Sequence, residues 1–227
     1  MKLAERYGLK GPRTVAALAT LESAVVDAPS SFVSKASRSE ALGVHLADSL
    51  SALELDVVKH ARSAIDIGTG AGLPGLALAI AVPQCQWTLV DATARKAAYV
   101  ASTITQLGIT NARAVAARAE ELPSKGSPPV QLVTCRAVAP LAVLLEYAAP
   151  LLEVGGHAVM WKGQPAPVEV SDGAIAAEIL GMSFAEAVPV APYKASTSRN
   201  LYLYSKLRET PSRFPRRAGV AAKRPLK

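Results

Sequence analysis

"AIDIGTGAGLPG", residues 64–75, sets four glycines and a proline behind a short apolar run that carries one acid, Asp66. Glycine has no Cβ, so such a run lets the backbone turn tightly and lets a ligand approach the main chain. The helix that Pro74 can open then offers N–H groups without intrahelical partners, a ready site for an anion or a polar ligand. Strand, glycine turn and helix in that order imply a nucleotide-like ligand.

Working outward from this stretch, helix-period and strand-period segments alternate. "SAIDI" (63–67), "QWTLVD" (86–91), "RAVAA" (113–117), "VQLVTC" (130–135) and "HAVMW" (157–161) read as strands. Between them lie "LALAIAV", which Pro83 stops, and "ATARKAAYVASTITQL", whose Ala97, Val100, Ala101, Ile104 and Leu107 share one face. "PLAVLLEYAAPLLEVGG" follows, with Gly155 and Gly156 as its expected terminator. This repetition predicts a parallel sheet covered on both faces. After residue 165 the pattern changes: a helix around Ala174 to Leu180 leads to "MSFAEAVPV" and then "NLYLYSKL", two strands placed to pair antiparallel at a sheet edge. The fold expected is α/β, a seven-stranded, mostly parallel sheet with an antiparallel edge strand and helices on both sides. That is the order of a class I methyltransferase; an NAD-binding Rossmann sheet more often ends in a sixth parallel strand. Upstream, residues 14–28 and 40–60 read as Ala- and Leu-rich helices joined by the polar "PSSFVSKASRS". The division expected is a helical cap over 1–60, a cofactor-binding domain over 61–207 and a tail over 208–227.

The chain has 227 residues, half of them hydrophobic, enough for a real core. Its longest uncharged stretch, Ile67 to Val90, is broken by Gly, Pro and Gln, and nothing approaches the ~18 apolar residues of a membrane helix. "MKLAERYGLKGPR" has no apolar segment or cleavage site of a leader, so a cytoplasmic protein is expected. Cys85 and Cys135 form no CxxC and His is scarce, so neither a disulfide framework nor a metal site is indicated. A monomer is expected. Charge is concentrated: Lys206 to Lys227 carries eight cationic residues against Glu209 alone, so the whole net charge of +7 sits in the last 22 residues. With three prolines the tail reads as extended. It is either solvated or a phosphate-seeking arm, with Arg213, Arg216 and Arg217 as candidates, because clustered cations gain affinity for nucleic acid by releasing its counterions.

The glycine turn has two registers. Gly70, Gly72 and Gly75 spell the dinucleotide GxGxxG, with Asp91 about 20 residues on for ribose hydroxyls. Asp66, Gly68, Gly70 and Gly72 instead give an acid and G-x-G-x-G, the register that suits S-adenosylmethionine (SAM), whose amino-acid end needs no pyrophosphate site. Asp91 serves the ribose in either.

"HLADSL" (45–50), "DIGTGAGLPGLALA" (66–79), "LVDATARK" (89–96), "ARAEEL" (117–122), "CRAVAPL" (135–141), "WKGQ" (161–164) and the tail "TPSRFPRRAGVAAKRPL" together resemble the RsmG (GidB) family, SAM-dependent 16S rRNA guanine-N7 methyltransferases. The resemblance implies a seven-stranded fold with a helical cap, 16S rRNA or the small ribosomal subunit as partner, and one guanine of the decoding region as acceptor. Carried over by position, it places cofactor contacts at Gly68 and Leu73, with Gly70 in the same loop, at Ala119 and Glu120, and at Arg136. Two departures stand out. The segment before His45 lacks the family's Trp-Asn…Asn-Leu-Thr element, and Val44 stands where many members have Arg, so the N-terminal region is either a divergent branch or contacts RNA differently.

Guanine N7 presents its lone pair in the ring plane, so transfer to it needs alignment rather than a general base. The end of the fourth strand, "CRAVAP", agrees, since it lacks the Asn/Asp-Pro-Pro-aromatic motif used on exocyclic amines. Cys135 raises the alternative of pyrimidine C5 attack by a cysteine, without its usual Pro-Cys context; buried packing is the plainer reading. Arg136 either meets cofactor or substrate or pairs with Glu120 or Glu146. Lys162 shares that rim, toward phosphate or solvent. His45 and Asp48, three apart on one helix face, are a candidate polar unit beside the base, and Trp161 and Tyr99 read as core. A nicotinamide-dependent oxidoreductase, an RNA methyltransferase with another target and a non-catalytic RNA-binding module are the competing classes.

Overall fold

The computed structural model describes residues 2–29, 32, 43–136, 139–194, 196 and 198–227. Helices α1 (Lys2–Arg6), α2 (Pro12–Asp27), α3 (Gly43–Leu50) and α4 (Asp56–Lys59) precede the sheet. The helix expected over 40–60 is thus broken: Ser51–Glu54 tightens into a 3-10 turn between α3 and α4. Of the polar connection 29–39, only Pro29 and Phe32 fall within the described residues.

The strands are β1 (Ser63–Ile67), β2 (Gln86–Asp91), β3 (Ala112–Ala116), β4 (Val130–Arg136), β5 (Leu152–Lys162), β6 (Met182–Val190) and β7 (Arg199–Lys206). They form one seven-stranded sheet in the order β3-β2-β1-β4-β5-β7-β6. β1 to β5 pair in parallel, and β7 runs antiparallel to both β5 and β6. The expected edge pair is therefore present, with β7 inserted between β5 and β6. The strand order reverses between β1 and β4, which opens a crevice at their carboxyl ends.

Alternation along the strands builds two cores. Ala64 and Leu132 point to one side with Leu21, Leu50, Leu76, Trp87 and Leu89, under α2, α3, α5 (Gly75–Ala81) and α6 (Ala94–Leu107). Ile65, Ile67, Val133 and Cys135 point to the other, under α7 (Leu141–Ala148) and α8 (Pro167–Leu180). Leu21, Leu50, Leu76 and Leu89 are each closed to water, a burial that contributes about 1.5–3 kcal/mol per side chain.

The segment after β4 departs from its reading. α7 ends at Ala148, a 3-10 turn covers Ala149–Leu151, and β5 already begins at Leu152. Pro150 stops the helix, because proline has no N–H to donate and its ring crowds the preceding turn. Gly155 and Gly156 are strand residues; a Cβ on Gly156 would stand 3.0 Å from the carbonyl oxygens of Gln131 and Glu153. Gly156 marks close strand approach and Gly155 a left-handed φ of +89° within the strand, and neither ends the helix.

The tail corrects a second expectation. It folds back across α7, its Phe214 buried, and closes with α9 (Val220–Lys223). At its root the Lys206 ammonium, 1% exposed, donates to the carbonyl oxygens of Ala149 (2.9 Å) and Leu180 (3.2 Å) and to the Thr210 hydroxyl. Burial pulls its pKa down to about 8.

Candidate active site

The glycine turn is held from below by Asp66, which is fully buried at the end of β1. Its Oδ1 accepts from the Thr134 hydroxyl of β4 (2.7 Å), and its Oδ2 accepts from the Gly75 N–H that opens α5 (3.0 Å). Burial raises this carboxyl to about 6, opposed by those two bonds. Only glycine fits at 75: a Cβ there would lie 2.1 Å from Leu89 Cδ2 and 2.9 Å from Asp66 Cβ. Gly68, Gly70 and Gly72 all have left-handed φ, +71°, +60° and +102°, which side chains rarely tolerate. The turn is pinned sideways to β2 as well. The N–H groups of Gly68 (2.8 Å) and Thr69 (3.0 Å) donate to the Val90 carbonyl, and that of Gly70 donates to Asp91 Oδ2 (3.1 Å). Asp91 Oδ1 accepts from the Thr93 N–H (2.9 Å).

Above this turn a cavity of about 540 Å³ opens at the carboxyl ends of β1, β4 and β5, within the range of small-molecule sites. Gly68, Gly70, Leu73, His45, Asp48, Arg136, Trp161, Lys162, Lys96 and Arg199 line it. A second cavity of about 550 Å³, beside Arg6, Glu54, Lys59 and Gln84, lies at the opposite end of the strands, and the Arg6–Glu54 ion pair spans its wall. Ligands of open α/β sheets bind at the carboxyl ends, so the first cavity is the candidate site.

Arg136, last residue of β4, is gripped by α3: its Nη1 donates to Asp48 Oδ2 (3.2 Å), to the Ser49 hydroxyl (3.1 Å) and to the His45 carbonyl (3.2 Å). Burial lowers its pKa, and Asp48 and Asp66 hold it up. Trp161 Nε1 donates to the Asp48 carbonyl (2.8 Å), which ties β5 to the same turn of α3. The other oxygen of Asp48, Oδ1, is buried with no hydrogen-bond partner among the described residues.

The structure gathers Gly68, Gly70, Leu73, His45, Arg136 and Lys162 around one cavity. Asp91 stands beside it under Gly70, while Ala119 and Glu120 are buried past the end of β3. Glu120 turns its Oε1 to the Gly219 N–H of the tail (2.9 Å). Arg136 pairs with Asp48, and neither Glu120 nor Glu146 is its partner. Lys162 lines the cavity while its ammonium donates to Glu169 Oε1 (2.6 Å) and to the Ala139 carbonyl (2.7 Å), and the same Glu169 oxygen caps the Leu141 N–H (3.1 Å).

Arg216, expected as a candidate substrate contact, is held within the fold. It makes a two-pronged ion pair with the buried carboxylate of Glu146, Nε to Oε1 at 2.7 Å and Nη2 to Oε2. Arg213 and Arg217 remain exposed, Arg213 lying over the Phe214 ring. Cys135 is closed to water among Ile67, Leu144 and Met160 on the core side, and burial pushes its thiol pKa far up, so it is packing and no nucleophile. Trp161 is buried yet lines the cavity, and the Tyr99 hydroxyl is spent on the Ala24 carbonyl. Lys96 and Arg199 escaped the sequence reading. Arg199 reaches the mouth because β7 is reversed, so its first residue lies at the carboxyl ends of the parallel strands.

A family model described as rRNA small subunit methyltransferase G (GidB) matches residues 28–199. The chain is 40% identical over 188 residues to the ribosomal RNA small subunit methyltransferase G of Rubrobacter xylanophilus, covering 81% of this chain and 72% of that one. To the protein of the same name from Syntrophomonas wolfei it is 36% identical, covering 86% and 91%. Among solved structures, cofactor-bound Rv0187 from MTB superimposes with a TM-score of 0.57 at 18% identity, covering 88% and 92% of the two chains. A putative rRNA methylase from Clostridium thermocellum gives 0.53 at 16%, covering 68% and 93%. At such identities the structures speak for the fold alone, that of the class I methyltransferases.

Proposed function

Because the chain belongs to the rRNA small subunit methyltransferase G (GidB) family, we propose that it transfers a methyl group from SAM to N7 of a guanine in 16S rRNA, in the decoding region of the small subunit. The observation that carries this reading is the glycine turn, pinned by Asp66 and Asp91 and opening into a cavity rimmed by Arg136, Lys96 and Arg199.

The residues present suit a sulfonium nucleoside. Gly68, Gly70 and Leu73 would take the amino-acid end against bare backbone, Asp91 the ribose hydroxyls, and the backbone at Ala119 and Glu120 the adenine edge, with Arg136 at the carboxylate. A side chain at 75 would collide with Leu89 and Asp66 beneath this cradle, and one at 70 would strain its left-handed backbone. When bound, the cofactor supplies an electrophilic methyl on sulfur.

The remaining work falls to positioning. The cavity walls, Trp161 and His45 among them, hold the base with N7 in line with the S–CH3 bond, and a positioned pair of reactants recovers much of the barrier by itself. No proton leaves N7, so no general base is required of His45. Lys96 and Arg199 place positive charge where backbone phosphates approach, and Arg213 and Arg217 on the docked tail extend that surface.

The test is transfer of labelled methyl from SAM to purified small subunits that lack the modification, followed by mapping of the labelled base. Label on guanine N7 of 16S rRNA is the expected result; label on a pyrimidine carbon, or none, overturns the proposal.

A further inference from the structure

Among the described residues, two buried side-chain atoms of the crevice lining have no hydrogen-bond partner, the Thr69 hydroxyl oxygen and Asp48 Oδ1, and only the second belongs to a carboxylate. Asp48 is 7% exposed and lines the cavity, yet its Oδ1 has no hydrogen-bond partner among the described residues. A buried acceptor left bare is costly and uncommon, and each case calls for an explanation. Its setting suggests one. Asp48 Oδ2 is held by Arg136 Nη1, and all three of the bonds that Arg136 makes to α3 leave from that one nitrogen, so Nη2 and Nε are not spent on them. The β1–β4 register pairs Ile67 with Cys135, which sets Gly68 beside Arg136 at the next step. A carboxylate and a guanidinium thus stand together directly over the glycine turn.

An amino acid is the zwitterion that complements such a pair. We propose that Asp48 binds the α-ammonium of the cofactor through Oδ1 while Arg136 faces its α-carboxylate, so that α3 supplies half of the amino-acid subsite. This rests on the reading of the cavity as a SAM site. The terminal torsion of an aspartate is broad, so a small rotation about it turns Oδ1 from the wall toward the cavity without losing Arg136. A guanine, whose N1–H and N2–H groups are donors and whose O6 accepts from a guanidinium, would find the pair too, but only the amino-acid end of the cofactor brings a full cation to the carboxylate and a full anion to the guanidinium over Gly68.

The test is calorimetric and needs no turnover. Wild type and Asp48→Asn are titrated with S-adenosylhomocysteine and with its desamino analogue, in which hydrogen replaces the ammonium. Wild type is expected to prefer the amine-bearing ligand by about 10- to 100-fold, the scale of one hydrogen bond to a charged group. Asp48→Asn should shrink that preference to below about threefold, while any change in Arg136 from the lost pairing weakens both ligands by the same factor. A preference that survives in Asp48→Asn overturns the proposal. So does equal binding of both ligands by wild type, a result that needs no variant to fold. Failure of wild type to bind either ligand would instead count against the SAM site itself.

Discussion

Replacing Arg216 with alanine should unfold the protein far more readily than a change in a solvated tail would. Glu146 is fully buried on α7, and its carboxylate is met on both oxygens by the Arg216 guanidinium, with the Arg216 N–H 3.4 Å from Oε1. Arg216 also donates to the Arg224 carbonyl at 2.9 Å, which closes the last turn of the tail over the pair. Removing one partner of a buried ion pair leaves a charge without compensation and costs about 3–5 kcal/mol. Against a total stability of about 5–15 kcal/mol this is about a fifth or more, and for a chain of this size it lowers Tm by roughly 10 °C. Urea unfolding followed by circular dichroism should show a lower midpoint with little change of slope. Adding Glu146→Leu to the Arg216→Ala chain should recover most of the loss, since the apolar side chain removes the stranded charge. A loss below about 1 kcal/mol for Arg216→Ala would refute the reasoning and return the tail to solvent.

Three other perturbations follow from the geometry. Asp66 titrates near 6 in the fold against 3.8 ordinarily, so between those values the folded state holds the extra proton and stability falls as pH rises, by about 3 kcal/mol in all. Asp66→Asn can still accept from Gly75 and donate to Thr134; it should flatten that slope and be the more stable protein at pH 7, and an unchanged pH profile of the urea midpoint would contradict the burial argument. Asp91→Ala frees the Gly70 and Thr93 N–H groups as well as the ribose acceptor, and should weaken S-adenosylhomocysteine binding by calorimetry at least about 100-fold, the scale of two hydrogen bonds to a charged group; undiminished affinity would reject its assignment. Arg213→Gln with Arg217→Gln should lower the salt slope of small-subunit binding by about one for each phosphate that the pair neutralises, and a slope equal to that of wild type would remove both residues from the RNA surface.

Much of the fold was legible because its signals are local. β2 and β6 coincide with the segments read as strands, and the glycine turn falls where an acid, three left-handed glycines and a proline require it. The stretch 149–156 was misread because glycine serves helix ends and close strand contacts equally well, while Pro150 carried the deciding information. The site was legible only in part. Gly68, Gly70, Leu73 and Arg136 sit on motifs, but the partner of Arg136 lies 88 residues upstream and that of Arg216 lies 70 upstream. No spacing rule reaches so far, so charges that meet in the fold look solvated in the chain. Arg199 was invisible for a related reason: the direction of β7 determines which of its ends faces the crevice.

The pair that fastens the tail also sets an order of events in synthesis. Glu146 is made 70 residues before Arg216, roughly 4–14 s earlier at ordinary elongation rates. During that interval α7 cannot settle on the sheet without carrying a bare negative charge inward. A message cut just before codon 216 therefore costs the shortened enzyme more than its grip on RNA: Glu146 stays without its partner, and the chain opens to proteases more often than the full one.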